Sequence, residues 1–177
     1  MSTALATERL RKRFAKWDID GSGSLERADL EKEGEKIAQA FGKSPTSPEG
    51  QAMRSAFTTM FGYLADNAGI GADGALTEDD FVRVAQKMMF EDGEAAFDGV
   101  LGPVVRGIVG LCDKNADGQI NGAEFASWLT AVGVDRSQAS GTFAQVDANG
   151  NGELSVDELL AAVRDFHFGR SEIELLG

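Results

Sequence analysis

The sequence predicts an all-α protein made of four helix–loop–helix repeats, paired into two lobes that pack into one compact globule. Three observations support this prediction. Apolar residues recur at intervals of three and four over eight segments, as on one face of an α-helix. Short stretches rich in Gly, Asp, Asn and Ser separate the two helices of each repeat. These stretches resemble one another, so the chain carries an internal repeat.

The eight helical segments divide equally between the two halves of the chain. Two prolines in residues 43–48 mark a flexible connector between the first and second repeats. The halves meet within residues 93–99, so we place an N-terminal pair in residues 1–92 and a C-terminal pair in residues 93–177. Because no long charged helix spans this junction, we expect the two halves to pack against each other. The predicted helices contain the apolar residues Leu10, Ile37, Met53, Phe81, Val104, Phe125, Phe143 and Leu159.

Composition and charge narrow the classes of partner. The 177 residues include 17 basic and 29 acidic side chains, for a net charge of −12. A surface this acidic repels nucleic acid and anionic lipid and favours cations as ligands. No apolar run long enough for a signal sequence or a membrane span follows the basic N-terminal residues, and Ser2 replaces the glycine that myristoylation requires. We therefore expect a cytoplasmic monomer without nucleic-acid or membrane partners.

Two loops of the second half, residues 113–124 and 147–158, match every fixed position of the pattern D-x-[DN]-x-[DN]-G-x5-E. A full match arises by chance at about one start position in 10⁵ or fewer. Alternate positions of such a loop aim oxygens at one point, and Ca²⁺ takes about 6 to 8 oxygens. The predicted metal ligands are Asp113, Asn115, Asp117, Gln119, Asn121 and Glu124 in the third loop, and Asp147, Asn149, Asn151, Glu153, Ser155 and Glu158 in the fourth.

Each loop position has its own role. Side chains at positions 1, 3 and 5 supply direct oxygens, and glycine at position 6 lets the chain turn sharply. The backbone carbonyl groups of Gln119 and Glu153 coordinate from position 7, and position 9 acts through a water. Glu124 and Glu158 reach in from the next helix with both carboxylate oxygens.

The first loop, residues 18–29, departs from the pattern with Ser22 at position 5 and Asp29 at position 12. We still predict a site, because four carboxylates converge on this loop and would repel one another without a cation. Aspartate is one methylene shorter than glutamate, so Asp29 can coordinate through one oxygen, and the resulting six-coordinate shell suits Mg²⁺ as well as Ca²⁺. The predicted ligands are Asp18, Asp20, Ser22, Ser24, Glu26 and Asp29.

The second loop, residues 69–80, has glycine at positions 1 and 3 and therefore lacks two leading side-chain ligands. We predict that it binds no ion tightly. Its expected role is structural, since Leu76 can pair with Leu25 in a short strand, as Ile120 can pair with Leu154. The same glycines form G-x-G-x-x-G over residues 69–74, but a predicted helix precedes them, which argues against a dinucleotide site.

The remaining chemistry-bearing residues are more simply explained by packing. Cys112 is expected to be a small buried hydrophobe and not a redox centre. His167 has no nucleophile in a recognisable context, so we expect it in the core or the tail, as we expect Trp17 and Trp128 in the core. The basic cluster from Arg9 to Lys16 is expected to form the solvated face of the first helix.

The loop residues resemble those of the EF-hand superfamily. The order of the loops resembles the sarcoplasmic calcium-binding proteins, including their bacterial members: a first loop with an altered pattern, a degenerate second loop and two complete loops. The likeness covers essentially the whole chain and is most specific in residues 101–105, 113–124, 164–170 and 175–177. The resemblance implies two pairs of EF hands face to face, three bound ions, and an intracellular calcium buffer or transporter.

Two non-enzymatic functions remain open, a calcium buffer and a calcium sensor. A sensor exposes an apolar groove that is often rich in methionine. Met53, Met60, Met88 and Met89 all lie in the first half, away from the two complete loops, which favours the buffer. The tail after Phe166 is too apolar to remain in water, so we expect it to pack between the lobes. An enzyme is the least favoured class, because no catalytic constellation is present.

Overall fold

The computed structural model describes residues 3–18, 20–71, 73–113, 117–173 and 175. Over these residues it contains eight α-helices and two short strands, which confirms the predicted fold class. The elements in chain order are α1 (Thr3–Trp17), β1 (Ser24–Glu26), α2 (Arg27–Ala40), α3 (Pro48–Ala68), β2 (Ala75–Thr77), α4 (Glu78–Lys87), α5 (Glu94–Cys112), α6 (Gly122–Ala131), α7 (Ala139–Val146) and α8 (Val156–His167).

The loops are coupled in pairs by backbone hydrogen bonds. Strand β1 runs antiparallel to β2, with Leu25 opposite Leu76. In the second half, Ile120 and Leu154 form an isolated antiparallel bridge, with N–O distances of 2.9 and 2.7 Å. All four of these apolar side chains are fully buried. Both predicted pairings are confirmed, and each fastens two loops side by side above the core.

The two halves of the chain pack directly against each other. Helix α5 contacts α3 of the first half and α8 of the second. The α3–α5 contact is close at Gly107, where an added Cβ atom would lie 2.5 Å from the sulfur atom of Met53. Before α5, residues Met88–Asp92 form a π-helical turn that ends at Gly93, whose positive φ of 95° favours glycine. This turn was not predicted from the sequence.

By length and hydropathy, α5 is the one helix in the described part of the chain that could cross a membrane. Half of its most apolar stretch is buried inside the protein. A helix in the core of a soluble protein is as long and as apolar as a membrane-spanning helix, because other helices cover its apolar residues. The burial of α5 is typical of such a core helix.

The C-terminal tail lies in the core, as predicted. Phe168 is 3% exposed and Leu175 is 1% exposed, while Leu176 lies outside the described residues. The ring of Phe168 contacts Phe90 from the π-helical turn and Phe97 from α5, both at 5.6 Å between ring centroids. The tail therefore joins elements from both halves of the chain.

The basic face of α1 differs from the prediction. Arg9 and Arg13 are buried, at 6% and 3% exposure, whereas Arg11 and Lys12 are exposed. The Arg9 guanidinium donates to the carbonyl oxygens of Phe166 and Ser171, both at 2.5 Å. Because these partners are more than 150 residues away in the chain, helical periodicity could not indicate them.

The expected burial of the lone cysteine, the histidine and the two tryptophans is confirmed. Cys112, His167, Trp17 and Trp128 are all buried. The pKa of His167 falls to about 3, first because burial removes water from the imidazole and then because Arg13 and Arg9 lie nearby. The neutral ring bonds Val163 O through Nδ1 at 2.8 Å, and its Nε2 accepts from Arg13 Nε at 3.3 Å.

Candidate metal sites

The first loop brings three of its four predicted carboxylates together. Oxygen atoms of Asp18, Asp20 and Asp29 lie within 4.8 Å of one another, and Glu26 is not in this group. Asp18 accepts from the Ser22 amide at 3.2 Å and from the Gly23 amide at 2.8 Å. These hydrogen bonds fold the loop back over its first residue, so its oxygens face one point.

Serine at position 5 of the first loop also shapes the loop internally. Its hydroxyl donates to the backbone oxygen of Ser24 at 2.9 Å, the position-7 carbonyl that was predicted as a ligand. The Ser22 amide donates to Asp20 at 3.0 Å, and this bond is the largest cause of the lowered pKa of Asp20. Asp20 is therefore held in its charged form, as an oxygen ligand for a cation must be.

The third loop repeats this arrangement around Asp113. The carboxylate of Asp113 accepts from the Gly118 amide at 2.7 Å and from the Asp117 amide at 3.2 Å. Asp117 in turn accepts from the Gln119 amide at 2.9 Å. Asn115, the predicted position-3 ligand, lies outside the described residues.

The fourth loop closes through its glutamate. Asp147 accepts from the Gly152 amide at 2.9 Å, and the side chains of Asn149 and Asn151 each accept from the backbone amide two residues ahead, at 3.0 Å. One oxygen of Glu158 accepts from the Ser155 amide at 3.0 Å, and the other accepts from the Asn149 amide at 3.3 Å. Both oxygens of this position-12 residue therefore face the loop.

Position 9 and position 12 are also the cap and third residue of the following helix. Asn121 caps α6 by accepting from the Glu124 amide at 2.9 Å, and Ser155 caps α8 by accepting from the Glu158 amide at 3.1 Å. In return each glutamate accepts from the backbone amide of its cap, in a capping box. The capping box that begins each helix therefore also holds the predicted glutamate ligand against its loop.

The second loop is built differently. Gly69 has φ of 76° and ends α3 in the left-handed conformation, so it serves as a helix terminator. The carboxylate of Asp80 bonds Arg83 at 3.2 Å, and this bond is the first cause of its lowered pKa. Asp73, the other carboxylate at a ligand position, is exposed. Within the described residues, these two side chains do not join a group of three potential ligands.

The donor sets fit a hard divalent cation. Every predicted side-chain donor in the three loops is an oxygen, which matches Ca²⁺ or Mg²⁺ and not softer metals. Oδ1 of Asp147 is buried and has no hydrogen-bond partner among the described residues. A carboxylate oxygen left in this state is unfavourable unless a hydrogen-bond donor or a cation satisfies it. The structure thus fits an ion at the fourth loop and a carboxylate-rich ion site at the first.

One side chain of the loops has surroundings that motif spacing did not indicate. Glu153 was selected for its backbone carbonyl, yet its carboxylate interacts with Asp117 of the third loop and lies near Glu124 and Asp113. Repulsion from Asp117 is the first cause of the raised pKa of Glu153. Loop position alone could not show this contact, because it depends on how the two loops pair.

Comparison with known proteins places this architecture among its relatives. The sequence model of the EF hand family matches residues 140–163, which cover all but the first residue of α7, the fourth loop and most of α8. Calerythrin of Saccharopolyspora erythraea is 61% identical over 177 residues, covering 100% of both chains.

Solved structures share the fold. A calcium-binding protein of Streptomyces coelicolor, described in connection with prokaryotic calcium-mediated regulation, has a TM-score of 0.74 and 26% identity, covering 92% of this chain and 97% of that chain. Calcium-loaded apo-aequorin from Aequorea victoria has a TM-score of 0.73 at 15% identity, covering 94% and 92% of the two chains, a likeness of fold alone. The 61% identity to calerythrin over the full length of the chain agrees with the paired loops. The chain therefore belongs to the EF-hand calcium-binding proteins of the sarcoplasmic type.

Proposed function

We propose that this protein binds three Ca²⁺ ions, in the loops at residues 18–29, 113–124 and 147–158, and acts as an intracellular calcium buffer or transporter. The observation that carries the proposal is the convergence of loop oxygens, clearest where Asp18, Asp20 and Asp29 lie within 4.8 Å of one another. The unpartnered Asp147 oxygen supports the same assignment for the fourth loop.

Ion choice is expected to differ between the loops. Glu124 and Glu158 would give two oxygens each, which suits the larger shell of Ca²⁺. Asp29 would give one, so the first loop would take Mg²⁺ when calcium is scarce and Ca²⁺ when it is abundant. Calcium titrations by calorimetry, with and without Mg²⁺, test this difference: Mg²⁺ should reduce the apparent calcium affinity of one site out of three.

The number of sites has a direct test. Native mass spectrometry in excess Ca²⁺ should show three bound ions, and Glu124→Gln and Glu158→Gln should each weaken one site. A fourth tightly bound ion would contradict the assignment of residues 69–80 as an ion-free loop.

The buried tail favours a buffer over a sensor. Phe168 packs against Phe90 and Phe97, and Leu175 is buried, so the tail already covers apolar surface that a target would need. Ion binding would then order loops and neutralise repelling carboxylates without opening an apolar surface. The Streptomyces coelicolor relative, described in connection with calcium-mediated regulation, keeps the sensor as the second candidate.

A hydrophobic dye separates these two functions. With a buffer, calcium should lower the binding of ANS to the full chain, because the loaded protein is more ordered. An increase on adding calcium would mean that an apolar surface opens, and the sensor would replace the buffer. Magnesium alone serves as the control for a general effect of divalent charge.

The wider setting follows from composition and from the relatives. We infer a cytoplasmic, monomeric, non-enzymatic protein whose partners are calcium ions, without nucleic-acid or membrane partners. The net charge of −12 supports the exclusion of nucleic acid, since phosphate backbones and acidic surfaces repel each other. Size-exclusion chromatography with light scattering, with and without calcium, tests the monomer.

A further inference from the structure

The pairing of the last two loops places each loop's position 7 beside the other loop's position 9. Ile120 and Leu154 exchange two backbone hydrogen bonds in an antiparallel bridge. In that register Glu153 lies across from Asn121, and Gln119 lies across from Ser155. Side chains directly opposite in an antiparallel pair share one face and have Cβ atoms about 4.5–5.5 Å apart.

Asn121 belongs to the third site, so this register directs Glu153 toward a site in another loop. The side chain of Glu153 does interact with Asp117, and Glu124 and Asp113 are also near. The carboxylate of Glu153 therefore interacts with carboxylates of the third loop, first of all with Asp117. In the absence of a cation, such a contact between like charges is unfavourable.

The other position-7 residue, Gln119 of the third loop, also has a side-chain oxygen of interest. Oε1 of Gln119 is buried and has no hydrogen-bond partner among the described residues. It lies in the register position facing Ser155, whose amide and hydroxyl both contact Oε1 of Glu158. The register thus sets one oxygen-bearing side chain of each loop opposite position 9 of the other loop.

We propose that the Glu153 carboxylate acts on the third calcium site, although Glu153 belongs to the fourth loop, and so couples the two sites electrostatically. This inference rests on the proposed function of the third loop. Loading the third site would remove the repulsion that Glu153 experiences and would favour the loop pairing on which the fourth site depends. Glu153 is a positioning and affinity-setting residue here, in addition to its predicted backbone contact.

The first pair of loops offers an internal comparison. There the register sets Glu26, at position 9 of the first loop, opposite Ala75 of the second. Alanine supplies no oxygen, so the first site receives no carboxylate from its partner loop at this position. Ala75 is exposed, and a longer side chain there needs no rearrangement of the core.

The test follows each site separately in the full chain. The amides of Gly23, Gly118 and Gly152 each donate to the first aspartate of their own loop, so their NMR signals report on one site each. We would titrate calcium, buffered with a chelator, into ¹⁵N-labelled protein. A unit charge at about 6 Å in a water-like dielectric changes the affinity for a divalent ion about tenfold.

In Glu153→Gln, the free calcium concentration at the midpoint of the Gly118 titration should therefore rise about tenfold. The midpoint of the Gly152 titration should rise by less. Asp157→Asn is the matched control, because it removes the same charge from an exposed position of the same loop. A larger shift at Gly152 than at Gly118, or equal Gly118 shifts in the two variants, would overturn the proposal.

A gain of function gives a test that does not depend on the first variant. Ala75→Glu should lower the free calcium concentration at the midpoint of the Gly23 titration about tenfold. The midpoint of the Gly118 titration should not change. An unchanged Gly23 midpoint would overturn the idea that a cross-loop carboxylate sets affinity. If Gly118 of the unmodified protein does not respond to calcium, the proposed third site itself fails, which is a different result.

Discussion

At the scale of single residues, position 12 distinguishes the first loop from the other two. Oδ2 of Asp29 accepts from the Glu26 amide at 3.0 Å, as Glu124 and Glu158 accept from their own caps at 2.9 and 3.0 Å. The shorter side chain thus makes the same capping bond, and it is one methylene shorter in its reach toward an ion.

We predict that Asp29→Glu adds a ligand oxygen and shifts the first site from Mg²⁺ toward Ca²⁺. Competition calorimetry should show a smaller effect of Mg²⁺ on calcium binding in this variant. The reciprocal change Glu158→Asp should make the fourth site more sensitive to Mg²⁺. If selectivity does not change in either variant, position 12 is not its cause.

His167 makes stability depend on pH. Its folded pKa of about 3 lies below the ordinary value of 6.5, so between these values the unfolded chain binds a proton that the folded chain does not. Stability from the neutral ring is therefore complete above about pH 6.5 and is lost as pH falls toward 3, at about 1.4 kcal/mol per pH unit.

Between pH 7.5 and 5.5, the unmodified protein should lose about 1.4 kcal/mol more unfolding free energy than His167→Gln. Urea denaturation in saturating calcium measures both proteins, and the carboxylates they share cancel in the difference. Equal losses would mean that His167 does not remain neutral inside the protein. Arg13 donates to the ring through its Nε atom, and Arg9 also lies near it.

At the scale of elements, the tail acts as a strap between the two halves. Leu175 is buried, and its carbonyl oxygen accepts from the indole nitrogen of Trp128 at 2.7 Å. The Arg9 guanidinium holds the tail from α1, through two carbonyl groups and through the Phe166 ring at 4.0 Å.

Leu175→Ala should lower the unfolding free energy by about 2–5 kcal/mol, because it leaves a cavity where the tail is held. Calcium-loaded Leu175→Ala should also bind more ANS than the unmodified protein. Glu172→Ala is the control: its side chain is 90% exposed, and without it Arg9 still donates to the carbonyl oxygens of Phe166 and Ser171, so the loss of stability should be much smaller than in Leu175→Ala. An unchanged stability of Leu175→Ala would show that the tail does not help to hold the fold.

At the scale of the whole molecule, we expect ion binding and folding to be linked. The loops gather carboxylates on a chain of net charge −12, and a cation that binds only the folded state relieves this repulsion. The β1–β2 pairing and the Ile120–Leu154 bridge carry that effect from the loops to the core beneath them.

Calcium at 100 times the dissociation constant of a site should stabilise the protein by about 2.7 kcal/mol per site. Thermal unfolding in a calcium series, and after addition of a chelator, measures this increase. Glu124→Gln and Glu158→Gln should each remove part of it. A melting temperature independent of calcium would contradict the coupling.

Much of this architecture was predictable because it depends on local spacing. The 3.6-residue period places apolar residues on one helical face, and the twelve-residue loop pattern places oxygens and the glycine turn. The pairing of Leu25 with Leu76 followed from aligning position 8 of the repeats, and the structure confirms it. The complete ligand sets and the division of the chain at residues 92–93 stay predictions.

What the sequence determined by itself is therefore the repeated helix–loop–helix, the oxygen-rich pattern of its loops and the apolar character of its tail, since each is encoded within a few consecutive residues. Only the tertiary structure decided that Arg9 and Arg13 are buried and that Glu153 faces the third loop. The burial of the two arginines and the surroundings of Glu153 depend on contacts between segments that are distant in the chain. The element that packs against each side chain sets its burial and its charged neighbours. No local period or motif specifies that neighbour, because it exists only once the chain has folded.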